Sequence, residues 1–155
     1  PCKENATLVH PLNLLNNGAS GKFYNFENED FLYEAPSYRH LLVQKGQSLK
    51  FYNLNMEHSE SEANAEFDMC DDIRIYSLKS EGEWRETIFD EEQNNRDIAL
   101  WVRNSTNVHV YSYGGNAMPL WSGKSYPKNF KQYPPSLYRV ENTCPFTATN
   151  LIDQI

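Results

Sequence analysis

The chain has 155 residues, with 14 Lys and Arg against 21 Asp and Glu and a formal charge of −7. This length suits one domain with a sizeable core, and the acidic balance argues against nucleic acid as a partner, because phosphate backbones are repelled. No apolar run approaches the roughly 18 residues that a membrane helix needs, which argues against direct membrane insertion by this chain. We therefore expect a single domain over residues 1–155.

The first half of the chain predicts short strands. Apolar runs at 7–9 and 23–26 are bounded by turn residues, which is typical of strands in an all-β protein. The runs at 40–44 and 48–56 flank a turn that contains glycine, and together they predict a hairpin. The acidic stretch 58–66 has no sustained apolar run, and we interpret it as a mobile loop.

The middle of the chain gives the clearest strand signals. Residues 73–76 alternate with a period of two and predict a strand. Residues 98–103 and 108–113 alternate in the same way and are joined by four polar residues, which predicts a second hairpin. This alternation would place four apolar side chains inside: Leu100, Val102, Val108 and Val110.

The C-terminal part has little periodicity. Four prolines in the stretch 116–135 remove donors that a strand ladder needs, which indicates a loop or a sheet edge. A last strand is predicted at 137–140, and helix signals are scarce along the whole chain. The fold class that this pattern predicts is all-β: a two-sheet antiparallel β-sandwich of jelly-roll type with long loops and little helix.

Glycosylation signals and cysteines favour an extracellular protein. Sequons at Asn5 and Asn104 are acceptors for N-linked glycans, and Asn104 lies between two strand-like runs where an acceptor is exposed. The three cysteines suit one disulfide and one free thiol, and they lack the close spacing of zinc ligands. Cys2 and Cys144 lie near the two ends, so a bridge between them is preferred, with Cys70–Cys144 as the alternative. The preferred bridge would stabilise the fold by roughly 4–5 kcal/mol in the chain-entropy model.

Two motifs in the middle of the chain follow an order known from an extracellular family. The stretch Leu49-Lys50-Phe51-Tyr52-Asn53-Leu54-Asn55-Met56-Glu57 is followed by a polar loop and by Cys70-Asp71-Asp72-Ile73-Arg74-Ile75-Tyr76. This order resembles the CUB domain, a disulfide-bonded β-sandwich, over about residues 41–113. Only one family cysteine is matched, and Ser77-Leu78 stands where the family has glycine. The resemblance implies a CUB-like sandwich that binds protein ligands.

The same resemblance implies a calcium site. Many CUB domains hold calcium through an Asp between that cysteine and the Ile-Tyr strand, and Asp71 occupies this position here. Asp68 and Asp72 lie beside it, and calcium prefers six to eight hard oxygen ligands. Three neighbouring carboxylates do not complete such a shell, so the alternative is a solvated acidic loop. Calcium is the one cofactor that the sequence indicates.

Signatures of catalysis are missing from the sequence. The four histidines are scattered, and there is no Gly-x-Ser-x-Gly elbow, phosphate-binding glycine loop or dinucleotide fingerprint. We therefore expect a protein that binds a partner and is not an enzyme.

Aromatic residues make up 14% of the chain and suggest where a partner binds. Large rigid side chains with a polar tip are favoured at binding surfaces, and several cluster in the proline-rich stretch near the C-terminus. The candidate partner-binding residues are Trp121, Tyr126, Phe130 and Tyr133. The alternative is that this segment packs across the sandwich.

These features predict a secreted or cell-surface glycoprotein domain, or the ectodomain of a membrane protein, that mediates extracellular protein–protein recognition. The alternative function is a lectin-like, carbohydrate-binding β-sandwich. In that case Trp121 and Tyr126 would stack on sugar rings, and the partner would be a glycan.

Overall fold

The computed structural model describes residues 10–28, 37–57, 61, 63–80, 98–114 and 138–149. These ranges contain ten β-strands and no helix, and therefore no helix long and apolar enough to cross a membrane. The strands are β1 (His10–Asn16), β2 (Gly21–Asn28), β3 (Tyr38–Gln44), β4 (Gln47–Met56), β5 (Ala63–Asp68), β6 (Asp71–Lys79), β7 (Ile98–Arg103), β8 (Thr106–Gly114), β9 (Tyr138–Glu141) and β10 (Phe146–Thr149).

The strands form two five-stranded sheets in which every neighbouring pair is parallel. The odd sheet has the order β1-β3-β5-β7-β9, and the even sheet has the order β2-β4-β6-β8-β10. Each successive pair of strands, from β1 with β2 to β9 with β10, is therefore one coil of a β-solenoid. The all-β prediction is confirmed within these ranges, but the predicted antiparallel β-sandwich is wrong.

Both predicted hairpins are corners of the solenoid instead. β3 pairs with β1 and β5 in the odd sheet, whereas β4 pairs with β2 and β6 in the even sheet. β7 and β8 are divided between the sheets in the same way. The positions of these strands are nevertheless correct, as is their inward face, since the four predicted core residues are buried: Leu100, Val102, Val108 and Val110.

The other strand predictions have mixed outcomes. The runs 23–26 and 73–76 lie within β2 and β6, and β9 covers most of the predicted last strand. The predicted strand at 7–9 lies outside the described residues. The acidic stretch is not simply a loop, because β5 begins at Ala63 and all six of its residues are buried. Its two carboxylates, Glu66 and Asp68, have arginine partners on neighbouring strands, which local sequence does not reveal.

The corner that joins the two strands of a coil has the same length in all five coils. The residues that precede the corners are successive Cα partners in the odd sheet: Asn16, Gln44, Asp68, Arg103 and Glu141. The fifth residues after them are successive partners in the even sheet: Gly21, Leu49, Ile73, Val108 and Phe146. No corner contains an insertion, so the two sheets keep one common register.

Backbone conformation explains how these corners turn. All twelve non-glycine residues with positive φ in the described ranges occupy three sets of equivalent positions along the stack. The set that directly follows the odd strands, which we name the corner column, is Asn17, Lys45, Met69, Asn104 and Asn142, with φ from 45° to 57°. A left-handed residue bends an extended chain sharply, and Asn tolerates this conformation better than other side chains that carry a Cβ.

Hydrogen bonds between coils continue through the corners. The amide of Lys45 donates to the carbonyl of Asp68 at 2.9 Å, and the amide of Met69 donates to the carbonyl of Arg103 at 3.1 Å. The amide of Asn104 donates to the carbonyl of Glu141 at 3.0 Å. The corners are therefore bonded to one another like strands, which fixes the position of each coil on the next.

The core lies between the two sheets, and aromatic side chains from the two sheets contact each other within it. The ring of Phe51 on β4 meets that of Phe67 on β5 edge to face, with centroids 5.7 Å apart, and both side chains are fully buried. Phe51 also stacks on Phe23 of the preceding coil at 5.1 Å. Burial of side chains of this size stabilises a fold by about 1.5–3 kcal/mol each.

The corner column gives a test of the fold. Met69 has φ 55°, a backbone conformation that a residue with a Cβ adopts only with strain. Its side chain is half-exposed, so packing of that side chain does not offset the strain. We expect Met69→Gly to be more stable than Met69→Ala by about 1 kcal/mol, because only glycine relieves the strain at a left-handed position. Urea unfolding of the two variants measures this difference, and a more stable Met69→Ala protein would contradict the corner geometry.

Candidate functional site

A four-residue pattern recurs in the first four even strands. It consists of a basic residue, an apolar residue, Tyr, and then Asn or Ser, in the stretches Lys22-Phe23-Tyr24-Asn25, Lys50-Phe51-Tyr52-Asn53, Arg74-Ile75-Tyr76-Ser77 and His109-Val110-Tyr111-Ser112. The sheet register makes equivalent residues Cα partners in adjacent coils. In the fifth coil the corresponding residues are Thr147 and Thr149. The pattern therefore forms columns that run along the solenoid.

The local alternation of the strands determines which of these columns faces outward. The apolar residue of each stretch belongs to the core or packs against it, as Phe51, Ile75 and Val110 do. Neighbouring side chains on a strand point to opposite faces, so the basic residue and the tyrosine lie on the outer face. We name these sets the basic column (Lys22, Lys50, Arg74, His109) and the tyrosine column (Tyr24, Tyr52, Tyr76, Tyr111).

The rings of the tyrosine column form a continuous stack. Centroid distances are 4.9 Å from Tyr24 to Tyr52, 5.0 Å from Tyr52 to Tyr76 and 4.9 Å from Tyr76 to Tyr111, and neighbouring ring planes differ by at most 10°. Tyr24 is 64% exposed and Tyr111 38% exposed at the two ends. Stacking covers the faces of the inner rings, so the column presents ring edges and hydroxyl groups to solvent.

The basic column places like charges on adjacent strands. Lys22 and Lys50 are Cα partners, as are Lys50 and Arg74. Arg74 is neutralised by Asp72, whose Oδ1 lies 2.8 Å from Nη2. Neither lysine makes an ion pair with a carboxylate in the part of the chain that the structure describes. Like charges directly opposite each other destabilise a sheet, so this arrangement has an energetic cost.

His109, the last residue of the basic column, differs from the other three in its contacts and its charge. Its Nδ1 lies 2.6 Å from the hydroxyl of Thr147, and its ring stacks on Tyr111 with centroids 6.1 Å apart. Partial burial, and then the charge of Arg74, lower the pKa of His109, while Asp72 acts in the opposite direction. The imidazole is therefore mostly uncharged at neutral pH and extends the aromatic surface rather than the charge.

The odd sheet carries a second polar cluster, centred on Trp101. Glu66 lies 2.9 Å from Arg39, and both side chains are 1% exposed. Arg103 approaches Glu66 at 2.8 Å and Asp68 at 3.4 Å. Guanidinium groups also lie over the indole ring of Trp101, at 5.4 Å for Arg39 and 5.2 Å for Arg103.

The arginines and carboxylates of this Trp101 cluster pair with one another and balance in charge. Arg139, the third guanidinium over the indole at 4.2 Å, pairs with Glu141 at 2.7 Å. Three arginines are thus matched with three carboxylates: Glu66, Asp68 and Glu141. Breaking the fully buried pair, Arg39 with Glu66, costs about 3–5 kcal/mol, which fits a structural role better than acid–base chemistry.

The three predicted calcium ligands do not converge on one point. Asp68 ends β5 and accepts a hydrogen bond from Nδ2 of Asn104 at 3.0 Å. Asp71 accepts one from the hydroxyl of Thr106, and Asp72 pairs with Arg74. Among the described residues, no group of three or more His, Cys, Asp or Glu side chains could hold a metal ion.

The predicted glycosylation and disulfide residues are described only in part. Asn104 is an exposed residue of the corner column, and the nitrogen that would carry a glycan donates to Asp68. Cys70 and Cys144 are both free thiols, the first buried and the second exposed. Asn5 and Cys2 lie outside the described residues, so glycosylation stays a prediction. Because Cys144 is a free thiol, the structure contains neither the preferred Cys2–Cys144 bridge nor the alternative Cys70–Cys144 bridge.

The predicted partner-binding residues Trp121, Tyr126, Phe130 and Tyr133 all lie outside the described residues. The surface that the structure does reveal, the tyrosine and basic columns, was missed by sequence reasoning. Its signal is nevertheless present, because the tetrapeptide Lys-Phe-Tyr-Asn occurs twice without change, at 22–25 and at 50–53.

In comparisons with known proteins, no family model, no curated protein and no solved structure matches the chain. The resemblance to CUB domains gains no support from these comparisons. The antiparallel fold that it implies is not the fold of this chain.

The tyrosine column gives a test by double-mutant cycle. Tyr52 and Tyr76 are stacked neighbours, so we expect their Ala substitutions to be coupled by about 0.5–1.5 kcal/mol in free energy of unfolding. Tyr24 and Tyr111 lie at opposite ends of the column and serve as the control pair, with coupling near zero. Equal coupling in the two cycles would contradict the stacked arrangement.

Thiol labelling tests the burial of Cys70, which lies in the corner between β5 and β6. Burial raises the pKa of Cys70 to about 11, so this thiol is protonated at pH 8 as well as inaccessible, whereas Cys144 is exposed. We expect iodoacetamide at pH 8 to alkylate Cys144 in the native protein and Cys70 only after denaturation. Peptide mapping by mass spectrometry reads both sites, and rapid native labelling of Cys70 would contradict the packing.

Proposed function

We propose that this protein binds a linear glycan, which lies along the solenoid axis on the outer face of the even sheet. The observation that carries the proposal is the repetition of one outward-facing tyrosine in four adjacent coils, accompanied in the first three of them by Lys or Arg. Coils repeat at the strand spacing of about 4.8 Å. A regular surface of this kind favours a partner that is itself a repeating chain.

The chemistry of the tyrosine column favours a sugar polymer. Each of the first four coils offers a phenol hydroxyl, which both donates and accepts hydrogen bonds, beside the apolar edge of its ring. Sugars present hydroxyl groups and C–H groups in close alternation, and both kinds of group find partners here. The stacked rings are already ordered, so binding costs little side-chain entropy.

Two other functions are less well supported by the described residues. Extracellular protein–protein recognition was predicted from the aromatic stretch around Trp121, and none of that stretch is among the described residues. Catalysis would need acid–base groups with free positions, whereas the carboxylates of the Trp101 cluster are paired with arginine. The extracellular location proposed here rests on the sequons at Asn5 and Asn104.

The proposal is tested by glycan binding to variants of the inner tyrosines. We expect Tyr76→Ala to weaken binding to the preferred polymer about tenfold, because a truncated central contact is worth more than 1 kcal/mol. The readout is affinity for immobilised linear polysaccharides, neutral and acidic, by biolayer interferometry.

Two further variants separate binding from folding. Tyr76→Phe keeps the stack and removes only the hydroxyl, so it isolates the polar contact. Leu14→Ala removes an apolar side chain that is 51% exposed on the odd sheet and should leave affinity unchanged. An equal loss of affinity in Tyr76→Ala and Leu14→Ala, or binding to no polysaccharide at all, would contradict the proposal.

A further inference from the structure

We infer that the glycan is acidic and that its carboxylate or sulfate groups bind against the basic column. This inference rests on the proposed function and names the ligand class for the same face. Its basis is the pair of lysines, Lys22 and Lys50, which occupy equivalent positions in adjacent coils without a carboxylate partner among the described residues.

The charge of this face opposes that of the whole chain. The protein has a formal charge of −7, yet three successive members of the basic column are cationic. The carboxylate closest in sequence to the basic column, Asp72, is already paired with Arg74. An acidic protein that keeps Lys22 and Lys50 on adjacent strands without a carboxylate partner gains most when an external anion neutralises them.

The spacing within a strand allows one acidic sugar unit to contact both the cation and the tyrosine of a coil. Within a strand, the basic residue and the tyrosine are two positions apart on the same face, which separates them by roughly 7 Å. The ammonium group can therefore bind an anionic substituent while the tyrosine contacts the ring of the same or a neighbouring unit. Repetition at about 4.8 Å extends this pair of contacts from coil to coil.

A single-stranded nucleic acid fits the same columns less well. Stacked polynucleotides carry one phosphate per about 3.4 Å of strand, which differs from the coil spacing. Sequence-tolerant recognition of single strands depends on bases stacking on exposed aromatic faces. Here the faces of Tyr52 and Tyr76 are covered by their own neighbours in the column.

The ligand class is tested with matched polymers. The probes are a polyuronate and its fully methyl-esterified form, and a sulfated glycan and its desulfated form, each titrated into the full chain by calorimetry. We expect at least one charged polymer to bind, with its neutral counterpart bound at least tenfold more weakly, and affinity to fall as salt is raised. The pair that shows the difference identifies the anionic group.

A lysine variant with two readouts ties the effect to the basic column. Lys50 lies between Lys22 and Arg74, so Lys50→Gln removes repulsion as well as a ligand contact. We expect two- to fivefold weaker binding, about the value of one exposed ion pair. We also expect a higher urea midpoint for the unliganded variant. Lys45→Gln makes the same change of charge at an exposed position of the corner column and should alter neither quantity.

The outcomes separate this inference from the proposed function. Equal binding of the charged and neutral polymers would overturn the inference and leave a neutral glycan as ligand. Binding of no polysaccharide would overturn both. Binding of oligo(dT) as tight as that of any acidic glycan would also overturn the inference, because it would show a general affinity for polyanions. Lower stability and weaker binding together in Lys50→Gln would overturn the assigned role of the basic column.

Discussion

The constant length of the corners is the constraint on which the rest of this structure depends. Each corner turns through a left-handed residue of the corner column, and at the three middle corners the amide of that residue donates to the next coil, as Lys45 does to Asp68. One inserted residue would move every following side chain to the opposite face of its strand. Because no corner has an insertion, four strands that are far apart in sequence place the same kinds of residue in line.

Much of the strand content could be predicted from sequence, but not the pairing. Alternation identified β6, β7 and β8 and the inward residues of β7 and β8, because the period of two depends only on the strand itself. The sheet to which a strand belongs depends on partners outside its own neighbourhood. A turn such as the one at Lys45 and Gly46 is compatible with a hairpin or with a corner, and only the residues that stack above and below it decide between them.

The repeat that forms the candidate site was not recognised in the sequence because the coils differ in length, although the repeated residues themselves are well matched. Equivalent positions in successive coils lie 28, 24, 35 and 38 residues apart, as from His10 to Tyr38 or from Leu41 to Ala65, so a search for a fixed period finds nothing. The exact repeat of Lys-Phe-Tyr-Asn, at 22–25 and 50–53, is the one sign of the site that the sequence shows directly. In contrast, the ion pair of Asp68 with Arg103 joins neighbouring strands that are far apart in sequence, so it could not be inferred and Asp68 resembled a metal ligand.

The claim that the tyrosine column acts as one binding surface is tested most directly by NMR of protein labelled at tyrosine ring carbons. Titration with a uronate hexasaccharide should shift the signals of Tyr24, Tyr52, Tyr76 and Tyr111 together, with one common affinity. The buried Tyr38 and the inward Tyr113 should not respond. Shifts confined to tyrosines outside the column, or unrelated affinities within it, would contradict the account.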